Sequence, residues 1–218
     1  MLTGGAGRRA MSLAFEDVLG VRDAFRNLPM AGRTDSWILA DAAAAHDIAL
    51  ESALLDRFEQ AYMLRLRSEI DKPGDSRKGV MPGVQDLLDA LADRDDVFLA
   101  LLTGNYEGAA RIKLEHFDLW RYFRCGAFGD KAPDRNGLLP RALTRVAACG
   151  GPSFATSDAV VVGDTPLDIA CAKFSNARSV GVATGMHSVD ELRSAGADVV
   201  FADLSDTASV LRALSVQR

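Results

Sequence analysis

The run Val160-Val161-Val162-Gly163-Asp164-Thr165-Pro166-Leu167-Asp168 places two acids four residues apart, the first just after three β-branched residues and a glycine. It reads as a buried parallel strand whose C-terminal tip presents Asp164, with Asp168 in the turn or first helical turn behind. Carboxylates at that end of a parallel strand stand where open α/β sheets bind ligands. Two of them with no Lys or Arg between repel each other unless a proton or cation intervenes, and a hard cation, most simply Mg2+, answers that need. The plain alternative is an exposed acidic turn. A second strand-like run, Val97 to Leu102, ends in Thr103-Gly104-Asn105. A hydroxyl followed by the free amides of a helix start can cradle a phosphate, although Thr103 or Asn105 as an ordinary N-cap would look the same. Between these tips, Gly129-Asp130-Lys131-Ala132-Pro133-Asp134-Arg135 turns a short strand into a helix. From it either Lys131 or Arg135 reaches toward a phosphate, unless both are simply solvated.

The elements that must position these residues alternate. From Pro82 onward, helix and strand patterns follow one another. The strands are Val97–Leu102, Cys125–Phe128, Ala159–Val162, Arg178–Val182 and Val199–Phe201, with helices between, including one from Asp134 to Ala148. That rhythm predicts an α/β fold with a doubly wound, Rossmann-like parallel sheet. Before Asp71 the periodicity is helical only. Helices are expected near Ala10–Val18, from Thr34 or Asp35 to before His46, and from Glu51 to about Ile70. The polar, turn-rich stretch Asp71 to Gly79 reads as a linker, dividing a helical domain (1–78) from an α/β core domain (79–218).

Composition bounds the rest. A chain of 218 residues with 48% hydrophobic and 25% charged residues can bury a substantial core. A net charge of -5 and a pI near 5.2 argue against a general nucleic-acid partner. No apolar run approaches the roughly 18 residues of a membrane span. Cys125, Cys149 and Cys171 form no C-x-x-C pair, which suits a reducing cytoplasm. His46, His116 and His187 have no ligand spacing, and no Gly-x-Gly-x-x-Gly follows a strand.

The strand tip with Thr103, the basic residue before the next helix and the strand ending Gly163-Asp164-x-x-x-Asp168 together resemble the haloacid dehalogenase (HAD) superfamily, in particular its phosphoglycolate phosphatase-like branch. Ser179-Val180-Gly181-Val182-Ala183-Thr184-Gly185 and the segment Leu192 to Val200 resemble that branch too, and the helical first third resembles its α-helical cap. The resemblance implies a Mg2+-dependent phosphatase for a small phosphorylated metabolite. On that basis Thr103, with the Gly104 and Asn105 amides, would hold the phosphoryl group, and Asp164 would bind Mg2+. Asp168 would hold the metal's waters or the basic residue. That basic residue would be Lys131 or, as the alternative, Arg135, since Lys131-Ala132-Pro133 is one residue shorter than the family's Lys-Pro-x-Pro. Arg33, in the turn Gly32-Arg33-Thr34-Asp35, would meet the anionic substrate unless it lies exposed on the surface.

The same resemblance implies a nucleophile in an Asp-x-Asp-Gly-Thr motif at the tip of a first strand. There the first Asp forms an aspartyl-phosphate and the second serves as acid and base. This sequence has no such motif. Asp93-Arg94-Asp95 precedes a strand, and the acids of Asp203-Leu204-Ser205-Asp206 are three apart. A sheet lacking that central strand is expected to leave about 10 Å between the strands carrying Thr103 and Asp164, edged by unpaired backbone groups. The expectation is a chain that starts late, through truncation or a mis-called start codon, and is inactive or very weak. A catalytically inactive HAD-like binding protein for a phosphorylated metabolite or a protein partner is the alternative.

Overall fold

The structure, a computed structural model, describes residues 1–74, 76–130, 132 and 134–214. Three helices form the first part: α1 (Ala6–Leu19), α2 (Asp35–Ala44) and α3 (Ser52–Glu69). α1 is bounded by Gly5 and Gly20, both at positive φ (77° and 72°), a conformation that costs glycine no Cβ clash. The apolar faces of these helices enclose Met11, Phe15, Phe25, Ile38, Leu39, Phe58, Tyr62 and Leu66, all at most 2% exposed. Phe15 meets Phe25 edge-on at 5.4 Å, and Tyr62 meets Tyr106 at 6.3 Å, so the aromatic series runs out of the helical part into the α/β part.

Leu2–Thr3 (β1) pairs antiparallel with Lys78–Gly79 (β2), so the connections into and out of the helical part lie side by side. Beyond them the chain runs α4 (Val84–Ala92), β3 (Leu101–Leu102), α5 (Glu107–His116), β4 (Gly126–Ala127) and α6 (Leu138–Ala148). It continues as β5 (Val160–Gly163), α7 (Pro166–Phe174), β6 (Arg178–Val182), α8 (Val189–Ser194), β7 (Val199–Phe201) and α9 (Thr207–Leu214). β3 pairs with β4, and β5, β6 and β7 pair in that order, all parallel. No ladder joins β3 to β5 among the described residues. The two ladders nonetheless form one layer. On one face Leu102 packs with Val161, Leu139 and Cys171, and on the other Leu99 and Val160 pack with Leu87, Val180 and Val210. Both faces are covered by helices, as a doubly wound sheet requires. No helix among the described residues is long and apolar enough to cross a membrane.

Several elements are shorter than their patterns predict. The strand expected over Val97–Leu102 is confined to Leu101–Leu102, because its partner β4, expected over Cys125–Phe128, is itself confined to Gly126–Ala127. The helix expected from Asp134 starts at Leu138, since Asp134 Oδ1 accepts from the Asn136 amide at 2.8 Å and holds the segment in a turn.

Candidate functional site

A cavity of about 300 Å3 opens between the helical part and the carboxyl ends of β3 and β5. Thr103, Gly104, Asn105, Arg135, Asp164 and Asp168 line it from the α/β side. Gly7, Met30, Gly32, Arg33, Asp35, Ile38 and Tyr62 line it from the other side, and Lys113 reaches it from α5. Of the residues singled out in the sequence, Thr103, Gly104, Asn105, Arg135, Asp164, Asp168 and Arg33 therefore converge. Lys131 lies outside the described residues. His46, His116 and His187 line no part of the cavity; His116 faces Asp71 at 3.2 Å and His187 faces Glu191 at 3.7 Å. Asp93, Asp95, Asp203 and Asp206 also lie elsewhere.

The turn after β5 explains how the two acids differ. Thr165 is the N-cap of α7 and Pro166 its first residue. The Thr165 hydroxyl accepts from the Asp168 amide at 3.3 Å, while Asp168 Oδ2 accepts from the Thr165 amide at 3.0 Å and from its hydroxyl at 2.7 Å. This reciprocal capping box occupies one carboxylate oxygen. The other, Oδ1, takes the Arg135 guanidinium at 2.6 Å in a pair whose side chains are only 12% and 5% exposed. Gly163 permits this, since a Cβ there would lie 2.1 Å from Asp168 Cγ. Asp168 thus anchors the basic residue.

Asp164 is the half-buried acid left without a salt bridge among the described residues. Burial raises its pKa, and the neighbouring Asp168 charge raises it further. The Met1 ammonium opposes this, itself depressed by burial and held up by Asp164. Gly185 lies against the same carboxylate, where a Cβ would stand 2.2 Å from Oδ2. No group of three or more His, Cys, Asp or Glu forms a metal cage among the described residues. Mg2+ is commonly held by one or two carboxylates completed by phosphate and water, so a desolvated Asp164 with no salt bridge among the described residues fits that ion as one ligand.

Arg135 does more than pair with Asp168. Its Nη1 donates to the Gly32 carbonyl and its Nη2 to the Leu102 carbonyl, both at 3.2 Å. Thr103 and Leu101 direct their amides to β4, so the polar groups of Leu102 point to the opposite edge of the strand. The guanidinium caps a carbonyl on that edge. Arg33 is also buried at its side chain: it pairs with Asp41 at 2.5 Å, lies 4.0 Å over the Trp37 ring, and its Nε has no partner among the described residues.

The turn carrying Arg33 is seated on the α/β part by backbone contact. The Asp35 amide donates to the Gly104 carbonyl at 2.6 Å, and the Tyr106 amide donates to Asp35 Oδ2 at 2.9 Å. Thr34 caps α2 and donates to the Ala132 carbonyl at 2.7 Å, and Ser36 donates to Gly129 at 2.7 Å. Asp35 and Lys113 are the charged cavity residues that sequence reading did not assign to the site. Burial raises the pKa of Asp35 and lowers that of Lys113, while each charge partly offsets the other. Lys113 did leave a signal. It falls on the stripe of Tyr106, Ala109 and Ala110, where a buried helix face should be apolar.

Known proteins share sequence and fold with this chain. Residues 136–207 match the HAD-hydrolase-like family. Over that segment the chain resembles the haloacid dehalogenase-like superfamily. The chain is 26% identical over 208 residues to a probable phosphatase, IndB, of Dickeya dadantii, covering 94% of this chain and 83% of that one. It is 29% identical over 190 residues to a phosphoglycolate phosphatase of Rhodospirillum rubrum, covering 87% and 77%. Among solved structures, CbbY of Rhodobacter sphaeroides in complex with xylulose-(1,5)bisphosphate superposes with a TM-score of 0.68 at 20% identity, over 94% of this chain and 89% of that one. A hydrolase from Pseudomonas syringae gives 0.64 at 18%, over 97% and 92%. These two show that the HAD-like α/β fold with its helical part is shared.

Proposed function

We propose that this HAD-like chain carries the phosphate- and metal-binding part of a Mg2+-dependent phosphatase for a small phosphorylated metabolite, of the phosphoglycolate phosphatase-like kind. The observation that carries this reading is the convergence on one cavity of the Thr103 hydroxyl, the Gly104 and Asn105 backbone, the Arg135–Asp168 pair and the unpaired Asp164. The Thr103 hydroxyl and the Gly104 amide suit phosphoryl oxygens, while the Asn105, Tyr106 and Glu107 amides turn to Thr103, Asp35 and Asp130. Asp164 would hold the cation, which when bound offsets the negative charge of the phosphoryl oxygens. Arg135, oriented by Asp168, adds a fixed positive charge, and Lys131 stands beside it in sequence as the alternative. Arg33 and the turn around it close the cavity over the remainder of the substrate. Neither nucleic acid nor membrane enters this reading.

Hydrolysis through a covalent carboxyl-phosphate needs a second carboxylate facing Thr103. Of the acids lining the cavity, Asp168 is engaged at both oxygens and Asp35 is held by the Tyr106 amide. On that ground we propose that the 218-residue chain by itself turns over slowly or not at all. The second reading, a binding protein for a phosphorylated metabolite, draws on the same observation. Incubating the chain, and a form extended upstream in its reading frame, with p-nitrophenyl phosphate and Mg2+ separates them. Turnover by the extended form alone supports the phosphatase; turnover by neither, with phosphate still bound, supports the binding protein. Turnover by the 218-residue chain would overturn the inactivity.

A further inference from the structure

The cavity holds a hydrogen-bonded series that begins outside the phosphoryl pocket, at Lys113. Its Nζ donates to Asn105 Oδ1. Asn105 Nδ2 in turn donates to Thr103 Oγ1 at 2.7 Å, and the Asn105 backbone amide donates to the same oxygen at 3.2 Å. A lysine ammonium has donors and no acceptor, so the amide atom it touches must be the oxygen. That fixes the flip of the amide and leaves its NH2 facing Thr103. A threonine hydroxyl has two lone pairs and one hydrogen. Both lone pairs are then taken, and the hydrogen has to find its acceptor elsewhere.

We infer that Lys113 is a positioning residue that, through Asn105, obliges the Thr103 hydroxyl to present its hydrogen to the phosphoryl oxygen. The inference rests on the reading of this cavity as a phosphate site. Without Lys113 the Asn105 amide is free to turn its oxygen to Thr103. The hydroxyl would then donate to that oxygen, and the phosphate would face lone pairs.

The surroundings show how the lysine is held. Its tip passes α1 at Gly7, where a Cβ would lie 3.3 Å from Nζ, and it sits 6.0 Å from the centre of the Tyr62 ring. The charged group facing it in the cavity is Asp35, which keeps the ammonium in its donor form against the burial that opposes it. The helical part therefore supplies the walls and the counter-charge for a lysine whose effect falls on the opposite domain.

Orthophosphate binding to the full chain, measured by titration calorimetry, tests the inference with Lys113→Met, Asn105→Ala and the double variant. Loss of one hydrogen bond of this kind predicts about tenfold weaker binding for Lys113→Met alone. In the Asn105→Ala background the same change should alter binding by less than about twofold, because the relay is already cut. A tenfold loss that persists in that background would mean that Lys113 acts by its own charge, and would overturn the inference. Lys113→Gln keeps a donor and loses the charge, so it should bind phosphate nearly as the parent does even where Lys113→Met fails to fold; a Met-like loss overturns the relay. If the parent chain binds no phosphate, the phosphate-site reading fails. The relay is then read alone from the Asn105 side-chain amide by 15N NMR. Two distinct, slowly exchanging protons in the parent that persist in Lys113→Gln and collapse in Lys113→Met support it, and signals unmoved in Lys113→Met refute it.

Discussion

At the scale of single residues, the site turns on two carboxylates in unlike surroundings. Asp168 is neutralised by Arg135 and satisfied by Thr165, so removing its partner leaves a buried charge with nothing to offset it. Arg135→Met should therefore cost about 3 kcal/mol in urea unfolding at neutral pH. Arg135→Lys should recover only part of that, because one ammonium cannot serve Asp168, Gly32 and Leu102 with the planar fork that Arg135 uses. A Lys variant as stable as the parent would show that the two carbonyl contacts contribute nothing. Asp164 behaves in the opposite way. Its folded pKa lies above the ordinary value, so the folded state is relatively favoured below that ordinary value and loses this advantage as pH rises through the raised one. In the absence of divalent cations, Asp164→Asn should be more stable than the parent at neutral pH. The difference should vanish in acid below the usual carboxylate range. Added Mg2+ should stabilise the parent and leave the Asn variant unmoved. Equal stability of the two proteins across that pH range would remove the desolvated charge from the account.

At the scale of elements, the fit between the Gly32–Asp35 turn and the Thr103–Asn105 strand tip decides whether the cavity closes. A Cβ on Gly104 would lie 2.2 Å from the Arg33 carbonyl oxygen, a backbone atom that cannot swing aside. Gly104→Ala should lift the turn from the strand tip, breaking the contact between the Asp35 amide and the Gly104 carbonyl, and destabilise the chain by about 1–3 kcal/mol. Hydrogen exchange should then accelerate at the Asp35 and Tyr106 amides while those of β6 stay protected. Acceleration throughout would instead mean global loosening. Much of this arrangement was legible in the sequence. Val160 to Gly163 is a β-branched run, and the order of strand tips carries Thr103 and Asp164 to one edge of the layer. The turn at Asp134 was not, because a single side-chain-to-amide bond delays α6 within a helical pattern. Nor was the pairing of Thr34 with Ala132 and of Asp35 with Tyr106, contacts 98 and 71 residues apart that depend on how the two parts dock. Nor could the local pattern choose between Lys131 and Arg135, since one polar turn carries both. The reach of Arg135 to Asp168 depends on Gly163 lacking a side chain.

For the molecule as a whole, the helical part and the α/β part are divided by sequence but not by core. Tyr106, Ala109 and Ile112 of α5 belong to the same buried cluster as Phe15, Phe58 and Tyr62, and the Asp35–Lys113 charges face each other across the boundary. Unfolding the helices alone would expose that face of α5 and strand Lys113 without its counter-charge, a large cost for a partly unfolded state. The two parts should therefore unfold together. The chain carries two tryptophans, Trp37 in α2 and Trp120 beyond α5, one reporting on each part. Single-tryptophan variants, Trp37→Phe and Trp120→Phe, should give denaturation curves with the same midpoint and slope once each is corrected for its own stability by circular dichroism. Phosphate should move both curves together by mass action, because its cavity is walled by both parts. An early transition at Trp37 with Trp120 unmoved would mean that the helical part opens on its own. The cavity would then be a feature of one closed state in a moving pair, and the relay from Lys113 would form only when the two parts meet.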